Sequence, residues 1–385
     1  FFMKIVIACD SFKGSLSSAK AETAIADGIR RVLPNADIKM HPIADGGEGT
    51  SATLVEGLHG TWTPVTVSDP LGRKIDTAYG ILPDGTAVIE MAAAAGLPLL
   101  SPEERNPLYT TTYGVGEMIA DAIRKGCRKF ILGIGGSATN DGGVGCLQAL
   151  GFTFTDASGV AISPGAVGLA DLAAVSAEHA LPALQDCTFA VACDVTNPLY
   201  GERGCSYIFA PQKGADAAMC TKMDIWLQKF AQCTKKIIPE ADPLYPGSGA
   251  AGGMGFALKT YLHATLRSGI TLVMEQTHLE ADIAACDLII TGEGQLDAQS
   301  MMGKVADGVS RLAKKYQKPV IAFCGTVSQD AGICNQNGID AYFPVLRRVA
   351  TQQQVMQPEC AAQNIADTAE QVFRLISVFK NDSPV

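Results

Sequence analysis

From Lys4 to Cys9 the chain is almost continuously apolar and short enough for a buried strand, and from Leu16 to Leu33 apolar residues recur at helical spacing through Leu16, Ile25, Ile29 and Val32. This pattern predicts a βα unit. A second unit follows, with a strand near Asp37 to Pro42, the loop Ala44-Asp45-Gly46-Gly47 and a short helix from Glu48 to about Leu58. Parallel pairing of the two strands is expected. Between Trp62 and Met91 alternating β-formers are broken by Asp69-Pro70-Leu71-Gly72 and Asp84-Gly85, turn residues that favour hairpins over crossovers. The pattern next predicts a helix over about Thr112 to Lys125, a strand Lys129 to Ile134, a glycine loop, a helix about Val144 to Leu150, a strand Thr188 to Cys193 and an amphipathic helix about Ala215 to Ile237. Pro243 to Gly255 reads as loop.

After Ala281 the βα rhythm returns, with strands Asp287 to Thr291 and Val320 to Cys324 and helices about Lys304 to Tyr316 and Ala362 to Phe379. The economical arrangement is α/β with two domains: a doubly wound parallel-sheet domain built from residues 1–60 and 285–385, with a second α/β domain, 61–284, inserted. A length of 385 residues agrees with two cores better than with one.

Composition narrows the function. A formal net charge of −9 with 18% charged residues argues against nucleic acid or an anionic membrane as main partner and favours a small ligand. Twelve cysteines without a CxxC pair read as reduced, mostly buried thiols. The apolar start is too short for a signal core, and Phe1 and Phe2 ahead of the first methionine read as an added remnant. No run of eighteen apolar residues occurs, so the expected location is the cytoplasm. The five histidines lack metal-ligand spacing.

Chemistry concentrates in six polar, glycine-rich loops: CDSFKGS (Cys9 to Ser15), ADGGEGT (Ala44 to Thr50), GIGGSATNDGG (Gly133 to Gly143), CDVTNPLYG (Cys193 to Gly201), GSGAAGGMG (Gly247 to Gly255) and TGEGQLDAQS (Thr291 to Ser300). Phosphoryl transfer needs donors around the phosphates, a divalent metal on carboxylates and a group to position the attacking hydroxyl. These loops hold all three kinds. Lys13 precedes a helix N-terminus, a favourable place for phosphate, although a solvated loop lysine would look the same. Asp10, Asp45, Asp194, Glu293 and Asp297 sit at strand ends from which carboxylates converge on magnesium; helix caps and Asx-turns are the alternative for each. In Gly133 to Gly143 the amides form a candidate anion nest, with Ser137, Thr139 and Asn140 as side-chain donors, against the plainer reading of a tight glycine turn. Gly247 to Gly252 matches GxGxxG, but the proline-rich residues before it are no buried strand. No GxxxxGK[ST] occurs, which excludes a P-loop kinase.

In order and spacing these motifs, with TGEGQLDAQS extended to TGEGQLDAQSMMGK, resemble the bacterial glycerate kinase family of the type that makes 2-phosphoglycerate, over about Met3 to Lys380. The resemblance implies ATP and Mg2+, D-glycerate as acceptor, and a flavodoxin-like domain beside an inserted α/β domain with the active site between them. It points to Lys13, Asp45, Asp194, Glu293, Asp297 and Lys304 as site residues. Lys13 or Lys304 is assigned to phosphate, Glu293 and Asp297 to magnesium or phosphate-side contacts, and Asp194 to the hydroxyl proton, with Lys13 and Asp45 grouped as catalytic. Gly135, Gly136, Ser137, Asn140, Gly292, Glu293, Gly294 and Lys304 are nucleotide-site candidates. Asp10, Ser11, Arg73 and Arg203 are substrate candidates, arginine being suited to the glycerate carboxylate. Phosphorylation of the 3-hydroxyl, a nicotinamide oxidoreductase and a non-catalytic glycerate-binding regulator are the rival readings. Oligomeric state stays open, a homodimer being one option.

Overall fold

In a computed structural model, which describes residues 2–44 and 49–381, apolar strands are buried at the centre of two separate sheets. The chain opens with β1 (Lys4–Ile7), the helix Ser18–Arg30 and β2 (Asp37–Met40). The Ser17 hydroxyl caps that helix by accepting from the Lys20 amide. After the helix Thr50–Gly57 come β3 (Thr61–Ser68), β4 (Lys74–Ile81) and β5 (Thr86–Glu90), then β6 (Lys129–Gly133), β7 (Thr153–Thr155), β8 (Ala174–Ser176), β9 (Thr188–Ala192) and β10 (Thr265–Arg267). The last third adds β11 (Leu288–Leu296), β12 (Val320–Val327) and β13 (Ala341–Pro344).

The chain divides into two compact units: Phe1–Asp45 with Glu56–Leu58 and Ile270–Val385, and Gly46–Val55 with His59–Gly269. The first holds a five-stranded, wholly parallel sheet in the order β13-β12-β11-β1-β2. This is the flavodoxin-like order, in which the winding reverses beside the first strand. Val6, Ile7, Ile289 and Ile290 are buried at its centre, and the helices Ser18–Arg30 and Pro358–Asn381 pack on one another as part of its covering. The second unit holds a six-stranded sheet, β10-β9-β6-β5-β4-β3. Its β3, β4 and β5 are antiparallel neighbours and its β5, β6, β9 and β10 run parallel. Phe154, Phe230, Phe256 and Tyr261 form an aromatic cluster in its core.

Two stretches depart from the sequence expectation. Pro243 to Gly255 is loop only in its first part, because a helix runs over Ala250–Tyr261. Left-handed Ala251, Gly252 and Gly253, at φ 52°, 67° and 96°, interrupt its first turn and hide the helical pattern. TGEGQL is strand, since β11 continues to Leu296, paired with β12 as far as Val327. Among the described residues no helix is long and apolar enough to cross a membrane, and all twelve cysteines are free, nine of them buried.

Candidate active site

At the point where the first sheet reverses, the backbone brings two motifs side by side. The Ala8 and Asp10 amides donate to the carbonyls of Ile290 and Gly292, both at 2.8 Å, so pairing of β1 with β11 continues past the end of β1. Asp10 therefore lies next to the segment that carries Glu293. The chain then folds tightly: the Phe12 amide donates to Leu16 O and the Leu16 amide to Phe12 O, with Lys13, Gly14 and Ser15 at the tip. Lys13 is exposed and makes no ion pair with a described residue. Beneath the loop, buried Glu22 accepts the Cys9 amide at 3.0 Å, and Ser18 Oγ donates to Cys9 O at 2.6 Å. Burial pushes the Glu22 carboxyl well up, and the hydrogen bond from the Cys9 amide acts against that rise.

These loops, with those after β12 and β13, enclose a cavity of about 1120 Å3 within the first unit. Asp10, Ser11, Lys13, Glu293, Gly294, Asp297 and Lys304 line it, so seven of the sequence candidates meet there. Gly292 lies in β11 directly before Glu293. Ligands of open α/β sheets bind at this place, outside the carboxyl ends of strands flanking the reversal. Glu293 is 8% exposed and its Oε1 has no hydrogen-bond partner among the described residues. Burial pushes its carboxyl up to about 7; a hydrogen bond to Ser300 and the charge of Lys304 act against that, while Asp10 and Asp297 add to it. Asp297 caps the short turn that follows by accepting the Ser300 amide at 3.1 Å, and Lys304 stands at the N-cap of the helix Val305–Lys315.

The donor set suits magnesium. Among the described residues no group of three or more His, Cys, Asp or Glu could by itself hold a metal. Magnesium, however, is commonly bound through one or two carboxylates with the remaining positions taken by phosphate oxygens and water. A buried carboxylate oxygen without a partner, beside Asp10 and Asp297, fits that mode.

Sequence reasoning missed Arg347 and Arg348, two exposed arginines on the cavity wall that make no ion pair with a described residue. They follow β13, whose four residues carry too little pattern to announce a strand. Val345, Val355 and Met356 give the same wall apolar surface.

The remaining candidates lie in the second unit, except Asp45, which falls outside the described residues. Gly135, Gly136, Ser137 and Asn140 follow β6, and Asp194 follows the neighbouring β9, both at the carboxyl edge of the sheet. Asp194 Oδ1 accepts the Gly269 amide at 3.1 Å. The Gly135–Asn140 loop is held by Leu97 N donating to Gly136 O and Ala138 N donating to Ala95 O. On its far side a Cβ on Gly252 would stand 2.1 Å from Thr139 O, a separation only glycine permits. Thus GIGGSATNDGG and GSGAAGGMG pack on each other. Arg73 is engaged elsewhere, its Nε on Asp69 at 2.5 Å and Nη1 on Glu104 at 2.6 Å. Arg203 is exposed, and its carbonyl accepts from Asn197 Nδ2.

Comparison with known proteins agrees along nearly the whole chain. The model of the family described as Glycerate kinase family matches residues 5–377. The protein of Escherichia coli K12 named Glycerate 2-kinase is 48% identical over 350 residues, covering 91% of this chain and 92% of its own. That of Haemophilus influenzae named Glycerate kinase is 46% identical over 381 residues, with 97% and 99% covered. A crystal structure from Salmonella typhimurium LT2, named provisionally as glycerate kinase 2, superposes with a TM-score of 0.91 at 43% identity, covering 99% of this chain and all of that one.

Proposed function

The chain belongs to the glycerate kinase family, and from that premise we propose that it moves the γ-phosphoryl group of ATP to the 2-hydroxyl of D-glycerate, giving 2-phospho-D-glycerate and ADP. The observation that carries the reading is the cavity at the sheet reversal, where Lys13 and Lys304 stand with Asp10, Glu293 and Asp297 around a volume large enough for a nucleotide. Lys13 and Lys304 are assigned to neutralising the phosphates, and Gly292 and Gly294 to close approach of the backbone. Glu293 and Asp297 are assigned to Mg2+, which when bound would neutralise charge on the β- and γ-phosphates.

Asp194 is assigned to the acceptor. As the hydroxyl oxygen bonds to the γ-phosphorus, its proton passes to the carboxylate, and the bond from that phosphorus to the β,γ-bridging oxygen breaks with its electron pair leaving on ADP. Ser11 is placed with the substrate group. Gly135, Gly136, Ser137 and Asn140 remain assigned to the nucleotide. Arg203 is retained as a partner for the glycerate carboxylate; Arg73 is the weaker candidate because Asp69 and Glu104 already occupy its guanidinium.

The 2-hydroxyl is favoured by the name Glycerate 2-kinase carried by the Escherichia coli relative. Phosphorus NMR of the product tests it directly, since the phosphate of the 2-isomer couples to one carbon-bound proton and that of the 3-isomer to two. A signal split by two protons would replace this assignment with the 3-hydroxyl.

A further inference from the structure

A lysine outside all six motifs is buried against one of them. Pro211–Lys213 is a single tight turn begun by Pro211 and ended by Gly214, whose φ of 97° is left-handed and whose position abuts the Arg105 carbonyl. The turn sends the Lys213 side chain inward, where the residue is 2% exposed. Its Nζ donates to Ser137 Oγ at 2.8 Å and to Thr139 O at 2.6 Å, both in the loop after β6. It forms no ion pair with a described residue. An unpaired buried cation opposes folding, and an apolar side chain of that length would avoid the penalty. Two further atoms of the same loop, Thr139 Oγ1 and Asn140 Oδ1, are buried without a hydrogen-bond partner among the described residues, on side chains with no exposure. The loop thus combines fixed backbone, a cation behind it and one unspent hydroxyl, Thr139 Oγ1, that can donate to an anion, whereas Asn140 Oδ1 only accepts.

We propose that Lys213 is a positioning residue for an oxyanion site in the loop Gly133 to Gly143, holding Ser137 and Thr139 in place and supplying the positive charge that a bound phosphate or carboxylate balances. The inference rests on the kinase reading only in taking ATP and D-glycerate as the sources of that oxyanion. The groups facing Lys213 offset its charge only in part: burial outweighs Cys205 and Asp141, which favour the ammonium without forming an ion pair. Asp141 is the nearby carboxylate; burial raises it, and donors from Thr112, Gly143 and Gly145 oppose the rise while occupying its oxygens. Cys205 is pushed up to about 12 by burial and stays a thiol. Asp224, acting on Cys205, accepts the Gly201 amide, and Arg105 packs its backbone on Gly214. Burial pushes the Lys213 ammonium down to about 8, so the charge is present at neutral pH and is lost above that value.

The test titrates full-length wild type and Lys213→Met calorimetrically with ATP and, separately, with D-glycerate at about pH 7 and about pH 9.5, with circular dichroism to verify folding. At neutral pH the variant is expected to bind one of the two ligands about tenfold more weakly, the loss associated with a charged contact. Whichever ligand is affected identifies the oxyanion. The wild type should lose the same affinity on going to high pH, and the variant should not. Equal affinities in both proteins, no binding of either ligand by the wild type, or a pH dependence that persists in Lys213→Met would overturn the proposal. If the variant fails to fold, the wild-type titrations decide, and affinities constant with pH contradict it. Pronounced Lys213-dependent binding without phosphoryl turnover would strike the kinase reading and leave the oxyanion site standing.

Discussion

At Asp194 one carboxylate oxygen has a structural task, since Oδ1 accepts the Gly269 amide. Asparagine keeps an acceptor there but lacks the basicity that proton removal requires. Asp194→Asn is therefore expected to fold as the wild type does and to lose about 10²–10⁴ in kcat, the usual contribution of a general base. Turnover within a few-fold of wild type, measured by coupled ADP release, removes Asp194 from that role. Glu293 was visible in the sequence as one carboxylate among several; its burial and unpartnered Oε1 were not, because they depend on β11 lying beside the loop after β1. Lys213 was invisible for a related reason. Nothing in Gln212-Lys213-Gly214 distinguishes an inward lysine from a solvated one until Gly214 turns the chain.

The helix Val305–Lys315 joins a buried stabilising contact to Lys304, the residue proposed for the phosphates. Asp307, 4% exposed in its first turn, accepts the Gly303 amide at 2.8 Å and pairs with Arg311 Nε at 2.6 Å. The Arg311 side chain is 74% exposed, so that pair contributes little, and the amide contact is the part that matters. Asp307→Ala should cost about 1–2 kcal/mol in urea unfolding. It should also raise KM for ATP, because Gly303 leads directly into Lys304; Asp307→Asn, which keeps the acceptor, should restore most of both. Unchanged unfolding and KM in the alanine variant would contradict this account of the helix start.

Element type was legible wherever apolar spacing ran undisturbed, as in Ser18–Arg30, Ala217–Ile237 and the hairpin of β3 and β4. It failed where backbone geometry overrode composition. Gly292, Glu293, Gly294 and Gln295 resemble a loop, yet pairing with β12 keeps them extended. The left-handed residues at 251–253 broke a helical pattern that resumes at Met254.

For the whole molecule, the return of strand and helix rhythm in the last third foretold a sheet made from both chain ends, and β1 lies between β2 and β11 in that sheet. What could not be read along the chain was how seven candidates separated by nearly three hundred residues would line one cavity. That requires the reversal of winding beside β1, which sets Asp10 against Gly292. The proposed function puts the nucleotide in this cavity and a hydroxy acid at the receiving end of its γ-phosphoryl group. The most direct test is magnesium-dependent ADP release from ATP with D-glycerate, L-glycerate or no acceptor. Release that depends on both magnesium and D-glycerate is expected. Release that is indifferent to the acceptor, or none at all from folded protein, would contradict the proposed function.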